Sequence, residues 1–162
     1  MGKIVSCDTS FIIRLYKKDD EWNENAVGYF RYFLEENYQI ILSTIALGEY
    51  CVKGDVSDIQ LDKIRISPHN AIHAILTGKC GAFLDKIKKA GVKVVDERII
   101  ITNDVKLFAQ AQIDKSDYFI SFDTRSKKVY DALKQEGLIT FDFLDFHTPA
   151  GNVFGRLDFP NE

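Results

Sequence analysis

The sequence is poor in cysteine and proline, with three residues of each type among 162. The cysteines, Cys7, Cys51 and Cys80, are odd in number and form no C-x-x-C pair. Disulfide frameworks and zinc sites use even numbers or close pairs of cysteines. We therefore expect three reduced thiols, as in a cytoplasmic protein, and neither a disulfide framework nor a zinc site.

Long hydrophobic runs are also missing. No apolar run approaches the ~18 residues that span a bilayer. The amino-terminal residues MGKIVSCDTSFIIRLY lack the long apolar stretch of a secretory signal. We predict a cytoplasmic protein that has no membrane partner.

The sequence has no excess of basic residues either. It contains 21 Lys and Arg against 24 Asp and Glu, for a net charge of -3 and a pI of about 5.6. A protein that coats nucleic acid relies on Lys and Arg to neutralise phosphates, so the composition argues against such a coat. The composition does not exclude a nucleic-acid substrate, because clustered carboxylates can bind a divalent metal and the metal can bind a phosphate.

The sequence does contain an alternation of short apolar strands and helices. We predict strands over residues 3–7, 39–42, 92–95, 118–122 and 138–141. This alternation is typical of a three-layer α/β/α sandwich with a mainly parallel, about five-stranded sheet.

The regions around these strands complete the predicted organisation. Residues 54–68 are predicted as a loop or short helix, and the helical segment 70–89 is predicted to break between Gly78 and Gly81. The tail from residue 142 onward contains Pro and Gly and is predicted to be irregular. With no repeat and no linker, we expect one domain, with its folded part over residues 1–145 and an irregular tail over 146–162.

Four acidic residues stand at special places in this pattern. Asp8 follows the first predicted strand and Asp123 follows the fourth, while Glu49 lies one turn into the helix after the second. Asp104 begins the helix that leads into the fourth strand. Because the carboxyl ends of parallel strands meet at one edge of a sheet, we expect the four side chains to converge on one cleft.

Such a convergence has a chemical reason. Close carboxylates repel one another and raise one another's pKa values, so the cluster is unfavourable without a cation. Mg²⁺ and Mn²⁺ prefer oxygen ligands and keep several waters. A metal of this kind polarises a phosphoryl oxygen and lowers the pKa of a bound water. We predict a Mg²⁺ or Mn²⁺ site.

The acids also have plainer interpretations. Asp8, Asp104 and Asp123 could each cap a helix, although Thr9 and Ser10 could cap the first helix in place of Asp8. Glu49 could be a solvated helix residue. Its neighbours Ile45, Ala46, Leu47 and Cys51 are apolar, however, and a lone Glu on a buried helix is unusual.

Further polar residues near these positions are weaker candidates. Thr9 and Thr124 could position a phosphate or a water, and capping is an equal alternative for both. Arg125 could contact an RNA phosphate, as could Arg14 and Lys128, but scattered surface cations are more often only solvated. His69 and His73 have the i, i+4 spacing of a metal pair but lack a third ligand.

Taken together in order, the segments CDTSF, STIALGEY, TNDVKLFAQA and SDYFISFD resemble the PIN-domain family. The resemblance covers roughly the first 140 residues and is closest to VapC-like toxins. It implies that Asp8, Glu49, Asp104 and Asp123 form an acidic site that cleaves RNA with Mg²⁺ or Mn²⁺. It also implies a possible small antitoxin partner and a homodimer. The chain has Ser121 where the family commonly has Thr, which keeps the hydroxyl.

Three hypotheses follow for the function. The first is a metal-dependent endoribonuclease, plausibly the toxin of a toxin–antitoxin pair. The second is a catalytically inactive PIN-like module that binds protein, against which the presence of all four acids argues. The third, a response-regulator receiver, requires an acidic pair after the first strand and a Lys after the fifth. The sequence has neither.

Overall fold

The computed structural model describes residues 2–93 and 103–155, which contain a five-stranded parallel sheet with helices on its faces. The strands are β1 (Ile4–Cys7), β2 (Gln39–Ser43), β3 (Ile64–Ser67), β4 (Tyr118–Ser121) and β5 (Asp142–Asp145). The helices are α1 (Thr9–Tyr16), α2 (Asn23–Glu35), α3 (Thr44–Tyr50), α4 (Ala71–Lys89), α5 (Asn103–Ile113), α6 (Thr124–Gln135) and α7 (Ala150–Phe154). The predicted three-layer α/β/α class is confirmed.

The strand order is β3-β2-β1-β4-β5, with every neighbouring pair parallel. The order therefore reverses at β1, which is the point where open parallel sheets bind ligands outside their carboxyl ends. Cys7 at the end of β1 pairs with Leu42 on one side and with Ile120 on the other. The ends of these three strands are thus level with one another.

Large aromatic side chains fill the space between the sheet and the helices. Phe11, Phe33, Phe108 and Phe119 are completely or almost completely buried. The ring of Phe108 on α5 packs edge-on against Phe119 on β4, with centroids 4.9 Å apart. Burying side chains of this size contributes about 1.5–3 kcal/mol each, so the helices are held firmly on the central strands.

Two strand predictions were wrong. Residues 64–67 form the edge strand β3 rather than a loop or short helix, because the short alternation of Ile64, Arg65 and Ile66 pairs with β2. The last strand begins at Asp142 and not at Leu138, since the preceding segment buries Ile139 and Phe141 outside any strand. Of the predicted strand over 92–95, Val92 and Lys93 are not in a strand, and the rest lies outside the described residues.

Two further expectations need correction. Helix α4 runs without a break through Gly78 and Gly81, because a glycine keeps the backbone N–H that continues the helix. The segment after residue 145 is not irregular throughout, because Ala150–Phe154 form helix α7. The Phe154 ring stacks on Tyr32 of α2 at a centroid distance of 3.9 Å, and this contact holds the short helix on the domain. Within the described residues, no helix combines the length and the apolar character needed to cross a bilayer.

A buried glutamine fixes helix α5 to the ends of two strands. Gln110 is 2% exposed. Its side-chain oxygen accepts a hydrogen bond from Ser43 Oγ at 2.7 Å, and its Nε2 donates to the carbonyl of Ser67 at 3.0 Å. Ser43 ends β2 and Ser67 ends β3, so this one side chain sets the height of α5 relative to the sheet edge.

We predict that Gln110→Met lowers the free energy of unfolding by about 1–3 kcal/mol, because the buried Ser43 hydroxyl and Ser67 carbonyl lose this partner. Urea denaturation followed by circular dichroism measures the change. Gln135→Met, at an exposed position near the end of α6, is the matched control and should change stability by less than about 0.5 kcal/mol. Equal stability of both variants would show that Gln110 does not hold α5 in place.

Candidate acidic active site

Asp8 is the most enclosed of the four acids. It follows β1 directly and is only 7% exposed. Its Oδ1 accepts a hydrogen bond from the Thr9 backbone N–H at 2.7 Å, and its Oδ2 accepts hydrogen bonds from the hydroxyls of Ser10 and Ser121, both at 2.7 Å. Burial raises the pKa of Asp8 above its ordinary value, and these three hydrogen bonds oppose that rise. Asp8 therefore caps α1 itself, although the sequence offered Thr9 and Ser10 for that role.

Glu49 reaches toward Asp8 from helix α3. Its Oε2 accepts a hydrogen bond from Thr9 Oγ1 at 2.5 Å, and its Oε1 accepts one from the Asn103 side chain. Thr9 lies on α1 and Asn103 begins α5, so Glu49 links the amino-terminal ends of two helices. Its charge contributes to the raised pKa of Asp8, which shows that the two carboxyls are close.

Asp104 lies in the first turn of α5 and is affected by all three other acids. Burial and then the negative charges of Asp8, Asp123 and Glu49 raise the pKa of Asp104 to about 7, while Arg125 acts in the opposite direction. A carboxyl with such a pKa is partly protonated in neutral solution. The charges of Asp8, Glu49 and Asp123 thus act on Asp104, while the convergence of the four side chains on one metal-binding cleft stays a prediction.

Asp123 closes the cluster from the end of β4. Its Oδ1 accepts a hydrogen bond from the Arg125 backbone N–H at 2.8 Å, so it caps α6, as its alternative interpretation allowed. The Ser121 hydroxyl that donates to Asp8 also accepts a hydrogen bond from the Asp123 backbone N–H at 3.1 Å. Ser121 is fully buried, so this hydroxyl rigidly couples the ends of β1 and β4.

The residues that were weaker candidates for the site differ in their contacts and exposure. Thr9 does not cap α1 but donates to Glu49, which makes it a positioning residue for that carboxyl. Thr124 begins α6 and is exposed. The Arg125 side chain is 83% exposed, with its Nε 3.5 Å from Asp123 Oδ1. Sequence reasoning did not assign Ser10 and Asn103 to the site, although the D-x-S and N-D spacings place a hydroxyl and an amide beside the acids.

Other polar residues lie away from the cluster. Asp117 accepts a hydrogen bond from the Ile4 backbone N–H at 2.7 Å at the start of β1, which is the opposite edge of the sheet. Asp142 pairs with Tyr118 at that same edge and meets Lys134 at 2.7 Å. His73 is buried, and its Nε2 lies 3.3 Å from Asp114. These contacts give Asp117 and His73 structural roles outside the acidic cluster.

The fit of the cluster to a divalent metal depends on how many ligands the protein supplies. In the described part of the chain, no three or more His, Cys, Asp or Glu side chains are arranged so that they could hold a metal ion together. The carboxyl oxygens of Asp8, Glu49 and Asp123 are turned toward hydroxyl, amide and N–H donors instead. Mg²⁺ commonly uses only one or two carboxylates and keeps its waters, so the donor chemistry fits an ion bound in this way.

Comparison with solved structures identifies proteins that share this fold. No family model and no curated protein sequence matches the chain. Among solved structures, FitAcB from Neisseria gonorrhoeae matches with a TM-score of 0.60 and 16% identity, over 89% of this chain and 99% of that one. VapBC2 from Rickettsia felis, bound to a DNA fragment from its promoter, matches with a TM-score of 0.57 and 15% identity, over 88% of this chain and 99% of that one.

A third structure is that of a toxin described as cleaving the sarcin–ricin loop, VapC20 from Mycobacterium tuberculosis. It matches with a TM-score of 0.52 and 19% identity, over 76% of this chain and 92% of that one. At these identities the likeness concerns the fold. The chain has the fold of VapC-like PIN domains, as its ordered motifs predicted.

The raised pKa of Asp104 predicts how stability depends on pH in metal-free buffer. Its pKa is about 7 in the folded protein and 3.8 in the reference state, so folding binds a proton between these values. The contribution of Asp104 to the stability of the folded protein is most favourable below about pH 4, where its carboxyl is protonated. This contribution is lost as the pH rises through 7 and the buried carboxyl ionises. We therefore expect Asp104→Asn to be more stable than the natural protein at pH 8, by roughly 1–4 kcal/mol, with only about a quarter of that difference at pH 4.5.

Urea denaturation in EDTA at the two pH values measures this difference. The expected gain exceeds the ~0.3–1 kcal/mol that a carboxylate contributes at a helix start, which acts in the opposite direction. Asp131→Asn, at an exposed position on α6, is the matched control and should show no comparable gain. A destabilised Asp104→Asn protein at pH 8 would refute the raised pKa of Asp104.

Proposed function

We propose that the chain is a metal-dependent endoribonuclease that hydrolyses RNA phosphodiester bonds and acts as the toxin of a toxin–antitoxin pair. The single observation that carries the proposal is the position of Asp8, Glu49, Asp104 and Asp123 beside the strand ends of a VapC-like fold, where burial and then the charges of the other three acids raise the pKa of Asp104 to about 7. The free-energy cost of this repulsion is offset when a divalent cation binds.

The residues of the site have two proposed roles: some would bind the metal, and others orient the carboxylates that bind it. Asp8 and Asp123 lie at adjacent strand ends and would hold the ion, with Asp104 and Glu49 as partners of its waters. A bound Mg²⁺ or Mn²⁺ would polarise the phosphoryl oxygen and make water a better nucleophile. The hydroxyls of Ser10 and Ser121 fix the Asp8 carboxylate, so that its orientation does not have to be acquired during the reaction.

Asp104 is suited to accept a proton. In the metal-free protein, burial and the charges of the three neighbouring carboxylates favour the protonated form of Asp104, so this side chain readily takes up a proton. We assign to Asp104 the removal of a proton from the attacking water. Thr9 and Asn103 hold Glu49 in place, and Thr124 and Arg125 stand on the exposed side of the cluster, where an RNA phosphate would approach.

The structural relatives support a proposal for the biological setting. Two of them are complexes named VapBC2 and FitAcB, and the third is named as a toxin. By this likeness and the sequence resemblance, we propose that a small antitoxin neutralises the protein, that it forms a homodimer, and that it acts in the cytoplasm. The alternative of an inactive PIN-like module that binds protein is less well supported, because all four acids are present and close to one another.

Substitution of the most enclosed acid tests the activity. We expect the purified protein to cleave a pool of single-stranded RNA in Mg²⁺ or Mn²⁺ and EDTA to stop the cleavage. Asp8→Asn should reduce the rate at least about 100-fold, because one of the metal-holding charges is lost at nearly constant shape. Gel analysis of labelled RNA gives the rate, and circular dichroism confirms that the variant is folded.

Asp131→Asn is the control for this experiment, because it removes an exposed aspartate on α6 and should retain full activity. Full cleavage by a folded Asp8→Asn protein would refute the site. If the natural protein cleaves no RNA in either metal but binds a protein partner, the inactive-module alternative would be supported instead.

A further inference from the structure

A cluster of aromatic rings and one guanidinium lies beside the acids. His147 stacks on Phe122 with ring centroids 3.7 Å apart and planes 25° from parallel. Trp22 meets both rings at an angle, with centroids 5.4 Å from Phe122 and 5.0 Å from His147. The Arg14 guanidinium carbon lies 3.9 Å from the centre of the Phe122 ring. We call these four residues the stacking cluster.

The fold fixes this cluster at the edge where the acids lie. Phe122 stands between Ser121 and Asp123, and its backbone N–H donates to Ser10 Oγ at 3.0 Å. Ser10 in turn donates to the Asp8 carboxylate. His147 follows the carboxyl end of β5, the strand next to β4. The stacking cluster is therefore separated from the acidic site by a single hydrogen-bonded residue.

The two outer rings are held in orientation and remain accessible. His147 Nδ1 lies 2.5 Å from an oxygen of Asp145, and Trp22 Nε1 donates to Glu21 at 3.0 Å. The His147 side chain is 33% exposed, and Trp22 is partly exposed. Rings that are fixed in advance lose little conformational entropy when a planar ligand stacks on them.

Arg14 adds a positive charge to the rings. Its Nη1 donates to the Ser10 carbonyl at 3.3 Å, which holds the guanidinium against the first turn of α1, the helix that follows Asp8. Its Nε is buried and has no hydrogen-bond partner in the described part of the chain, with Asp20 3.7 Å away as an ion pair. A fixed guanidinium beside an anionic cluster suits a ligand that is both planar and negatively charged.

We propose that the stacking cluster is a binding subsite for an unpaired base of single-stranded RNA next to the scissile phosphate. This inference rests on the proposed nuclease function and names its substrate class. Proteins recognise single-stranded RNA by stacking its bases on aromatic side chains and arginine planes. In a duplex the base faces are already stacked on one another, so the subsite favours single strands and loops. Stacking also tolerates any base, because every base has an aromatic face.

The single tryptophan of the chain makes the subsite directly observable. Trp22 is the only Trp among the 162 residues, so intrinsic tryptophan fluorescence reports on this position alone. We expect a single-stranded RNA hexamer of mixed sequence to quench this fluorescence saturably. The titration uses the natural protein in EDTA, and the Asp8→Asn protein in Mg²⁺, so that the RNA stays intact. An abasic hexamer of equal charge and an RNA duplex should cause much weaker quenching.

Removal of one ring tests the assignment by affinity. His147→Gln keeps a polar side chain for Asp145 but removes the stacking surface, and we expect it to weaken hexamer binding about 5- to 100-fold. In the cleavage reaction it should raise KM more than it lowers kcat. Tyr118→Leu is the matched control, because it removes a partly buried ring at the opposite end of β4 and should leave the affinity unchanged.

The outcomes separate this inference from the proposed function. Quenching by the hexamer without any RNA cleavage would support the subsite and refute the nuclease. Cleavage with no quenching in either titration, or with unchanged affinity and KM in His147→Gln, would refute the subsite and leave the nuclease intact. Equal quenching by the abasic hexamer would show that only phosphates bind. Quenching by a protein partner but not by RNA would make the cluster a protein-binding surface.

Discussion

Repulsion among four carboxylates at one edge of the sheet is the constraint on which the rest of the structure depends. The parallel register that aligns Cys7 with Leu42 and Ile120 makes the ends of β1, β2 and β4 level. Side chains that follow these strand ends, or that begin the helices beside them, are therefore placed at the same edge of the sheet. Burial and the charges of the other three acids together raise the pKa of Asp104 to about 7.

Asp8 and Glu49 are held differently from several other acids of the molecule. Asp8 and Glu49 are bound by hydroxyl, amide and backbone N–H donors, which orient a carboxylate without cancelling its charge. Several acids elsewhere meet a lysine ammonium, in the pairs Asp85–Lys89, Asp131–Lys127 and Asp142–Lys134. Neutral donors leave the field of the cluster available to a cation from solution, which is what a metal-dependent site requires.

Sequence reasoning identified the fold class, because it follows from the alternation of strands and helices. The convergence of the four acids on one metal-binding cleft was predicted from the strand-end rule and stays a prediction. Sequence reasoning missed the residues whose sequence pattern is short and weak. The four residues of β3 are flanked by mostly polar residues. Their pairing with β2 is a tertiary contact, which a short sequence pattern does not reveal. The same holds for Ser10, whose bond to Asp8 depends on a helix start, and for His147, whose contact with Phe122 joins the ends of two strands. The roles of all these residues in catalysis remain predictions.

Direct measurement of metal binding tests the central claim. Isothermal titration calorimetry of Mn²⁺ into the protein at pH 7, in buffers of different ionisation enthalpy, reports both affinity and proton release. We predict saturable binding that releases a substantial fraction of a proton per site, because the ion displaces the proton that Asp104 carries near its pKa of about 7. Absence of saturable binding at millimolar Mn²⁺, or binding without proton release, would contradict the claim that these carboxylates form a metal site.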